Sequence, residues 1–347
     1  MNVLMIGGTG PTGTAIVQGL LAKSYVVTIY HTGAHEFQFS REVEHLHGDP
    51  GNPEDIVARL KGRRFDAVIN TQGRIRFVAD AFKTAAHTDK LVSISGHAVY
   101  ASVWLPLPTI PSPAIPIPES DPLWQDPQTP YRQRTALGEQ IVREAQQQGH
   151  FETVIVRYPR VYGPRAYGPS EWYFVKRIRD DRKHVILGGD GMTVIQRGYS
   201  ENLAHAVILA LESPKANGQI YNLGDERALT VRGIATLIAE ALDHQWEMVP
   251  MPFAAAPLGD PFAAYGHTLL DLTKIKTELG YQDVVPVEEA TRITARWLYE
   301  HPPENEEAIA GRFAAGPSHY EAENALIAGY QGYLASLPPR DLTWGSA

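Results

Sequence analysis

The segment that most constrains this chain is its start. A short apolar run, Val3–Ile6, meets the turn Gly7-Gly8-Thr9-Gly10-Pro11-Thr12-Gly13. The turn reads G-x-x-G-x-x-G from Gly7 and G-x-G-x-x-G from Gly8. Each glycine answers a separate demand. One lets the chain turn tightly after a strand, one lets backbone N–H groups approach a phosphate, and one lets the next helix pack on the sheet. A helix N-terminus adds unpaired N–H groups and the positive end of its dipole. The turn therefore predicts a cradle for a dinucleotide pyrophosphate, with Gly7, Gly10, Pro11, Thr12 and Gly13 as contacts.

The segments that follow repeat this alternation. Val26–Tyr30, Phe65–Asn70, Leu91–Ser95 and Thr153–Arg157 read as short strands, and Thr14–Ala22, Pro53–Leu60 and Phe77–Ala86 as helices. Strands alternating with helices predict a parallel sheet joined by right-handed crossovers. After Arg157 the texture changes, and residues 163–195 are rich in Gly, Pro, aromatic and charged residues. Asn202–Leu211 then reads as a helix and Gln219–Leu223 as a strand, both returning to the first sheet. Val231–Leu242 and Val287–Glu300 read as later helices, 301–318 as an irregular linker and 319–336 as a final amphipathic helix. The expected α/β fold is a Rossmann doubly wound parallel sheet with a smaller C-terminal substrate-binding lobe. Its sheet domain takes 1–162 completed by 196–224, its lobe takes 163–195 and 225–318, and 319–347 form a C-terminal helical extension. Within that extension, Asn324–Leu337 reads as a partner helix or a cover for the cleft. The segment Leu105–Pro130 carries nine prolines, which forbid a helix or a central strand, and it reads as a loop walling the cleft.

Charge and composition narrow the function. With 31 basic against 39 acidic residues, the net charge of −8 opposes nucleic acid as the main partner. The absence of cysteine excludes disulfides, thiolate zinc sites and cysteine nucleophiles. The start carries no basic leader, and no apolar stretch reaches membrane-spanning length, so a cytoplasmic protein is expected. Among the 13 histidines, His31 and His35 are four apart and His45 and His47 two apart, but no His-Glu-x-x-His occurs. The first pair falls in a loop and the second flanks a turn, so no metal site is expected. No G-x-S-x-G elbow supports a serine hydrolase, and the glycine turn lacks the Gly-Lys-Ser/Thr ending of an NTPase loop.

The end of the second strand selects between NAD and NADP. An acid there binds the ribose 2′-OH, and a nearby base accommodates a 2′-phosphate. This chain has Tyr30-His31-Thr32-Gly33, with neither. The missing acid favours NADP over NAD, with His31 and Thr32 bonding the phosphate and Arg41 folding inward. Asp49, after the third strand, reads as a contact at the adenine edge, and Thr71 joins the cofactor set.

These motifs together resemble the extended short-chain dehydrogenase/reductase family, in its NAD-dependent epimerase/dehydratase branch. The resemblance runs through GGTGPTG at 7–13, HGDP at 47–50, FDAVIN at 65–70, LVSISGHAVY at 91–100, PYRQRTALGEQIV at 130–142 and VRYPRVYGP at 156–164. It continues in LGGDG at 187–191, QRGYSENLA at 196–204 and YNLGDERALTVRGIA at 221–235. The last two segments look closest to a divergent subgroup that includes chloroplast stem-loop RNA-binding proteins. The resemblance implies hydride chemistry on a small-molecule carbonyl or hydroxyl, a homodimer, and a catalytic set of Ser or Thr, Tyr and Lys. Tyr131 matches the tyrosine, the proton donor or acceptor. Position 135, four residues on and on the same helix face, holds Thr135 where the family has lysine. Threonine can bond the nicotinamide ribose but carries no charge to lower a phenol pKa from about 10. Arg134 is the nearby cation. The Ser/Thr position falls on Gly96, flanked by Ser95 and His97, either of which can replace the hydroxyl. An arginine and an aspartate that the family often carries read here as Ile195 and Asn202. That weakens a sugar-nucleotide substrate and leaves Arg165, Arg182 and Arg197 as substitutes. Tyr162, Tyr167, Trp172, Tyr173, Phe174 and Tyr199 suggest an aromatic-lined pocket. Two other readings use the same fold: a redox-inactive NAD(P)-binding sensor or RNA-binding protein, and a non-redox lyase or cyclase.

Overall fold

Strands buried on both faces need apolar residues throughout, and the first half of the chain supplies them. The computed structural model describes residues 1–71, 73–104, 114–125, 130–253, 262, 266–306, 308–309 and 316–338, with the side chains of Trp104, Pro130, Tyr131 and Ser318 outside the description. Strands β1 (Asn2–Ile6), β2 (Val26–His31), β3 (Glu44–His47), β4 (Arg64–Asn70), β5 (His87–Gly96) and β6 (Glu152–Tyr158) come from this half. They are followed by β7 (Arg160–Tyr162), β8 (His184–Gly188), β9 (Val194–Ile195), β10 (Arg197–Tyr199), β11 (Gln219–Asn222), β12 (Leu229–Thr230) and β13 (Glu247–Met251). Seven strands form the central sheet in the order β3-β2-β1-β4-β5-β6-β11, and every pair is parallel. The order reverses between β1 and β4, which opens the crevice where such sheets bind ligands.

The helices are α1 (Pro11–Ala22), α2 (Pro53–Leu60), α3 (Ile75–Thr84), α4 (Pro130–Gln147) and α5 (Trp172–Arg179). Then come α6 (Ser200–Glu212), α7 (Val231–Ala241), α8 (Thr273–Leu279), α9 (Val287–Glu300) and α10 (Pro317–Ser336). Alternate residues of each strand face opposite layers. Val3 and Met5 join a core with Ile16, Leu20, Leu203 and Val207 of α1 and α6, while Leu4 and Ile6 join Ile56, Val78 and Val142 of α2, α3 and α4. Lys90 of β5 locks α6 in place, its Nζ donating to the carbonyls of Ala210, Leu211 and Ser213 at the C-terminal end of that helix, each at 2.9 Å.

The observed elements match the expected ones with displaced ends. Helix α1 starts at Pro11, inside the glycine turn, because proline has the dihedral of a first helical residue and no N–H to satisfy there. Strand β5 reaches back to His87, since Thr88 is buried between exposed neighbours although the segment is polar. The second lobe has its own core, in which Trp172, Tyr173 and Phe174 pack against Val185, Ile234 and Leu298.

Helix α10 packs on this lobe. Glu323 receives Arg177 at 2.5 Å and Arg182 at 3.0 Å, and Ile327 meets Ile186 and Met251. None of its residues is among the described residues that line the glycine-turn cleft. Much of the proline-rich segment, 105–113 and 126–129, lies outside the described residues. Its middle packs on the ends of β6 and β11, where the Glu119 carbonyl accepts from Arg157 and its carboxylate from the Asn222 amide. Among the described residues, no helix is long and apolar enough to cross a membrane.

Candidate functional site

The glycine turn joins β1 to α1 at the C-terminal edge of the sheet. Gly7 and Gly8 have φ of 99° and 101°, a region that disfavours any side chain. A Cβ on Gly13 would stand 2.8 Å from the Gly8 backbone, so the third glycine is required by the closeness of helix to turn. Gly10 caps α1 without any side-chain hydrogen bond, and Pro11 has no N–H. The helix therefore presents its first amides to whatever lies before it.

That space is a cleft of about 770 Å³. The whole turn from Gly7 to Gly13 lines it, with His31, Thr32, Asp49 and Thr71 around the rim. All nine residues expected to contact the cofactor thus border one cavity. Thr71 is held by two bonds to the Ile6 carbonyl, from its amide at 3.1 Å and its hydroxyl at 2.8 Å. Asp49 is partly committed to its own turn, accepting from the Gly51 amide at 2.7 Å. Burial pushes the His31 imidazole below its ordinary pKa. Arg41 does not fold inward. It bonds the Leu21 carbonyl and the Ser24 hydroxyl at the far end of α1, which corrects the role expected of it as a phosphate contact.

The cleft is also lined by Ile94, Arg134, Thr135, Tyr158 and Val161. Thr135 is 7% exposed and lies on α4, and position 131 is one turn earlier on the same helix face. Ser95 is not among the described lining residues. Its hydroxyl donates to Glu139 Oε1 at 2.5 Å, inside a network that also holds Arg157, Tyr100 and Asn222. This corrects its expected role in polarising a substrate oxygen, because the one proton of the hydroxyl is already committed. His97 stands just past β5. Its Nδ1 pairs with the Tyr158 carbonyl at 3.0 Å, and since a carbonyl only accepts, that nitrogen carries the proton. Burial pushes the His97 pKa down to about 4, so the ring is neutral near pH 7.

Sequence reasoning missed Tyr158 here, while Tyr167, named among the aromatics of the expected pocket, does line the cleft. Tyr158, at the end of β6, has a buried hydroxyl beside Thr12 without a well-formed hydrogen bond, and burial raises its pKa. Its position at the C-terminal end of a sheet strand was the available signal. Tyr167 is 71% exposed and its ring leans over Gly10, where a Cβ would come within 3.5 Å of it. The other aromatics proposed as a pocket, Tyr162, Trp172, Tyr173, Phe174 and Tyr199, are core. Arg182 is tied to Glu323, Arg197 is buried against Glu171 at 2.6 Å, and Arg165 stacks on Phe37. These bonds correct the expectation that Arg182 and Arg197 serve a diphosphate.

The residues present fit a dinucleotide. A Cβ on Gly8 or Gly13 would collide with Ile29 or with the turn itself, and the buried Tyr158 hydroxyl on the same cavity has no well-formed hydrogen bond. Gly13→Ala is expected to shift the turn at a cost of about 1–3 kcal/mol and so weaken cofactor binding by about tenfold or more. Calorimetric titration with NAD and NADP checks this, and unchanged affinity would contradict the packing account.

Comparison with known proteins agrees with this geometry. The model of the NAD dependent epimerase/dehydratase family matches residues 3–224. The chloroplast stem-loop binding protein of 41 kDa b from Arabidopsis thaliana is 24% identical over 254 residues, which cover 69% of this chain and 63% of that protein. The chain thus spans a little under two thirds of that relative's length. A UDP-N-acetyl-alpha-D-glucosaminuronate decarboxylase from Bacillus cytotoxicus is 30% identical over 153 residues, 42% of this chain and 46% of that protein. Among solved structures, a UDP-glucose 4-epimerase from Thermotoga maritima superposes with a TM-score of 0.68 at 21% identity, covering 86% of this chain and 99% of that one. A dTDP-glucose 4,6-dehydratase from Streptomyces venezuelae, crystallised with NAD, gives a TM-score of 0.68 at 22% identity over 87% and 98% of the two chains. The two structures share the fold, and the family match covers the whole cradle and the sheet behind it. The chain belongs to the NAD-dependent epimerase/dehydratase family, a branch of the extended short-chain dehydrogenases/reductases.

Proposed function

We propose that this protein is an NAD(P)-dependent enzyme that oxidises a carbinol or reduces a carbonyl of a small organic metabolite, alone or as a step of an epimerisation or dehydration. The observation that carries the reading is the continuity of the cleft, from the glycine turn to the face of α4 that holds Thr135 and position 131. Gly7, Gly10, Thr12 and Gly13 would hold the pyrophosphate, and His31 and Thr32 the adenosine ribose. Thr135 would bond the nicotinamide ribose. When bound, the nicotinamide supplies the hydride donor or acceptor. Tyr131 gives or takes the substrate proton. His97, neutral and with its proton on Nδ1, would steady the Tyr158 carbonyl at the end of β6 and is not assigned a proton-transfer role.

No lysine is among the described residues that line the cleft, and its cations are Arg74, Arg76 and Arg134. Arg134 is the one next to Thr135, and we assign it the field that steadies the phenolate. A guanidinium that is not on the face of Tyr131 lowers the phenol pKa less than a lysine one turn away. The oxidative rate is therefore expected to rise with pH toward an apparent pKa of about 9–10, with no inflection in the histidine range. A pH profile of kcat/KM checks this, and an acid limb near about 6.5 would assign the chemistry to a histidine instead.

The substrate we propose is small and lacks a diphosphate, because Arg182 and Arg197 are already paired with carboxylates. Nicotinamide absorbance during incubation with a panel of carbonyl and carbinol metabolites tests the function. Thr135 in place of lysine also favours a second reading, a protein that binds NAD(P) without turning it over. Tight cofactor binding with no absorbance change across the panel would select that reading.

A further inference from the structure

Three histidines and a glutamate converge at the β2–β3 edge of the sheet, away from the proposed reaction. The two strands pair with His31 opposite His47 and Ile29 opposite His45. Residues two apart on a strand share a face, so His31, His45 and His47 project from the same side. The loop after β2 brings Glu36 across them. His31 Nε2 is 3.1 Å from His45 Nδ1. Glu36 Oε2 is 3.3 Å from His45 Nδ1, and its Oε1 is 3.1 Å from His47 Nε2. One ligand atom from each of the four residues lies within 4.8 Å of all the others.

Hydrogen bonds alone do not satisfy this arrangement. His45 Nδ1 holds at most one proton, yet it faces both His31 Nε2 and the Glu36 carboxylate. With a proton, it donates well to only one of them. Without one, its lone pair points at a carboxylate. A cation at the centre meets every lone pair at once. Zinc bonds of about 2.0–2.2 Å in a tetrahedron place ligand atoms about 3.3–3.5 Å apart. The His31–His45 and His45–Glu36 separations already lie close to that edge length, and all four ligand atoms lie within 4.8 Å of one another. Three imidazoles with one carboxylate suit zinc and its neighbours rather than magnesium or calcium. Glu36 opposes the other ligand that histidines attract, a phosphate, by placing a negative charge among them.

We propose that His31, Glu36, His45 and His47 form a four-ligand site for a divalent transition metal, zinc foremost. The metal would clamp the loop between β2 and β3 onto the sheet edge. His31 is 4% exposed and also lines the cofactor cleft, so the metal would sit against the adenosine end of that cleft. Binding through Nε2 moves the His31 proton to Nδ1 and gives up a long contact from the Gly33 amide at 3.4 Å, which is worth little at that length. The chain positions explain why residue spacing hid the site. His35, four residues from His31, lies near Tyr167 instead, and the true partners come from the neighbouring strand.

The test uses the full chain, stripped with a chelator and dialysed, then titrated with zinc alone and with cobalt alone. The expected result is one zinc per chain and the intense visible absorption of tetrahedral cobalt. His45→Ala/His47→Ala should abolish both. Glu36→Gln should weaken zinc by more than the roughly 10–100-fold that loss of an outer partner costs. His205→Ala, at a histidine outside the cluster, should change nothing. His45 and His47 are only partly buried, with side chains 26% and 57% exposed, so the double variant should keep its fold, which circular dichroism checks. Zinc binding that is absent, or equal in the wild type and the double variant, overturns the proposal. So does a response to inorganic phosphate with none to zinc.

Discussion

Tyr131→Phe is expected to lower kcat by about 10²–10⁴-fold while leaving NAD(P) affinity unchanged. The variant removes the phenolic hydroxyl and keeps the ring. The glycine cradle, Thr71 and Thr135, which would hold the cofactor, are untouched. A loss of rate without a loss of binding therefore isolates proton transfer, and single-turnover measurement of nicotinamide absorbance beside a binding titration reads both. Full activity in the variant would remove Tyr131 from the reaction. Thr135→Lys is the complementary change. It restores a cation one turn from the phenol, and the alkaline limb of the pH profile should move toward neutrality while Tyr131→Phe stays inactive.

Glu139→Ala is expected to destabilise the protein by about 3–5 kcal/mol, the largest effect on stability foreseen here. Glu139 accepts Arg157 Nε at 3.0 Å and Nη2 at 2.7 Å, and both side chains are almost fully buried, 3% and 2% exposed. Desolvation opposes the charge on Arg157, but Glu139 more than offsets it, so the guanidinium stays charged. Truncating the glutamate strands that charge, which keeps only neutral acceptors, the Tyr100 hydroxyl and the Glu119 carbonyl. Arg157→Met in the same chain should recover part of the loss, since it removes the stranded charge. Denaturant midpoints of the single and double variants check this, and a single-variant loss below about 1 kcal/mol would mean water reaches the pair. The pair also bears on activity. Positions 131, 135 and 139 succeed one another along one face of α4. Glu139 anchors that face to β6, and its loss should lower kcat by loosening the helix that carries Tyr131.

Much of this was legible in the residues, and the reason is locality. The glycine turn specifies its own dihedrals and its own close approach. Strands buried on both faces declare themselves as apolar runs, and α2 and α9 were read to the residue from their periodicity. The alternation of strand and helix then leaves few topologies. That positions 131 and 135 share one face of α4 was also visible, because the i, i+4 spacing is a property of one helix.

The partners of polar side chains were not legible in this way. Ser95 and Glu139 are 44 residues apart, and nothing near either shows that one hydroxyl proton is committed to the other. Arg182 and Arg197 read as free cations until the fold set Glu323 and Glu171 against them. The three histidines at the sheet edge belong together only because β2 and β3 pair in one register. By itself, then, the sequence determined the sheet and the glycine turn, since each follows from residues close along the chain. Only the tertiary structure decided which charges and hydroxyls remain available to a ligand. That depends on which distant groups meet in places that exclude water, where an unpaired polar group is too costly to leave alone.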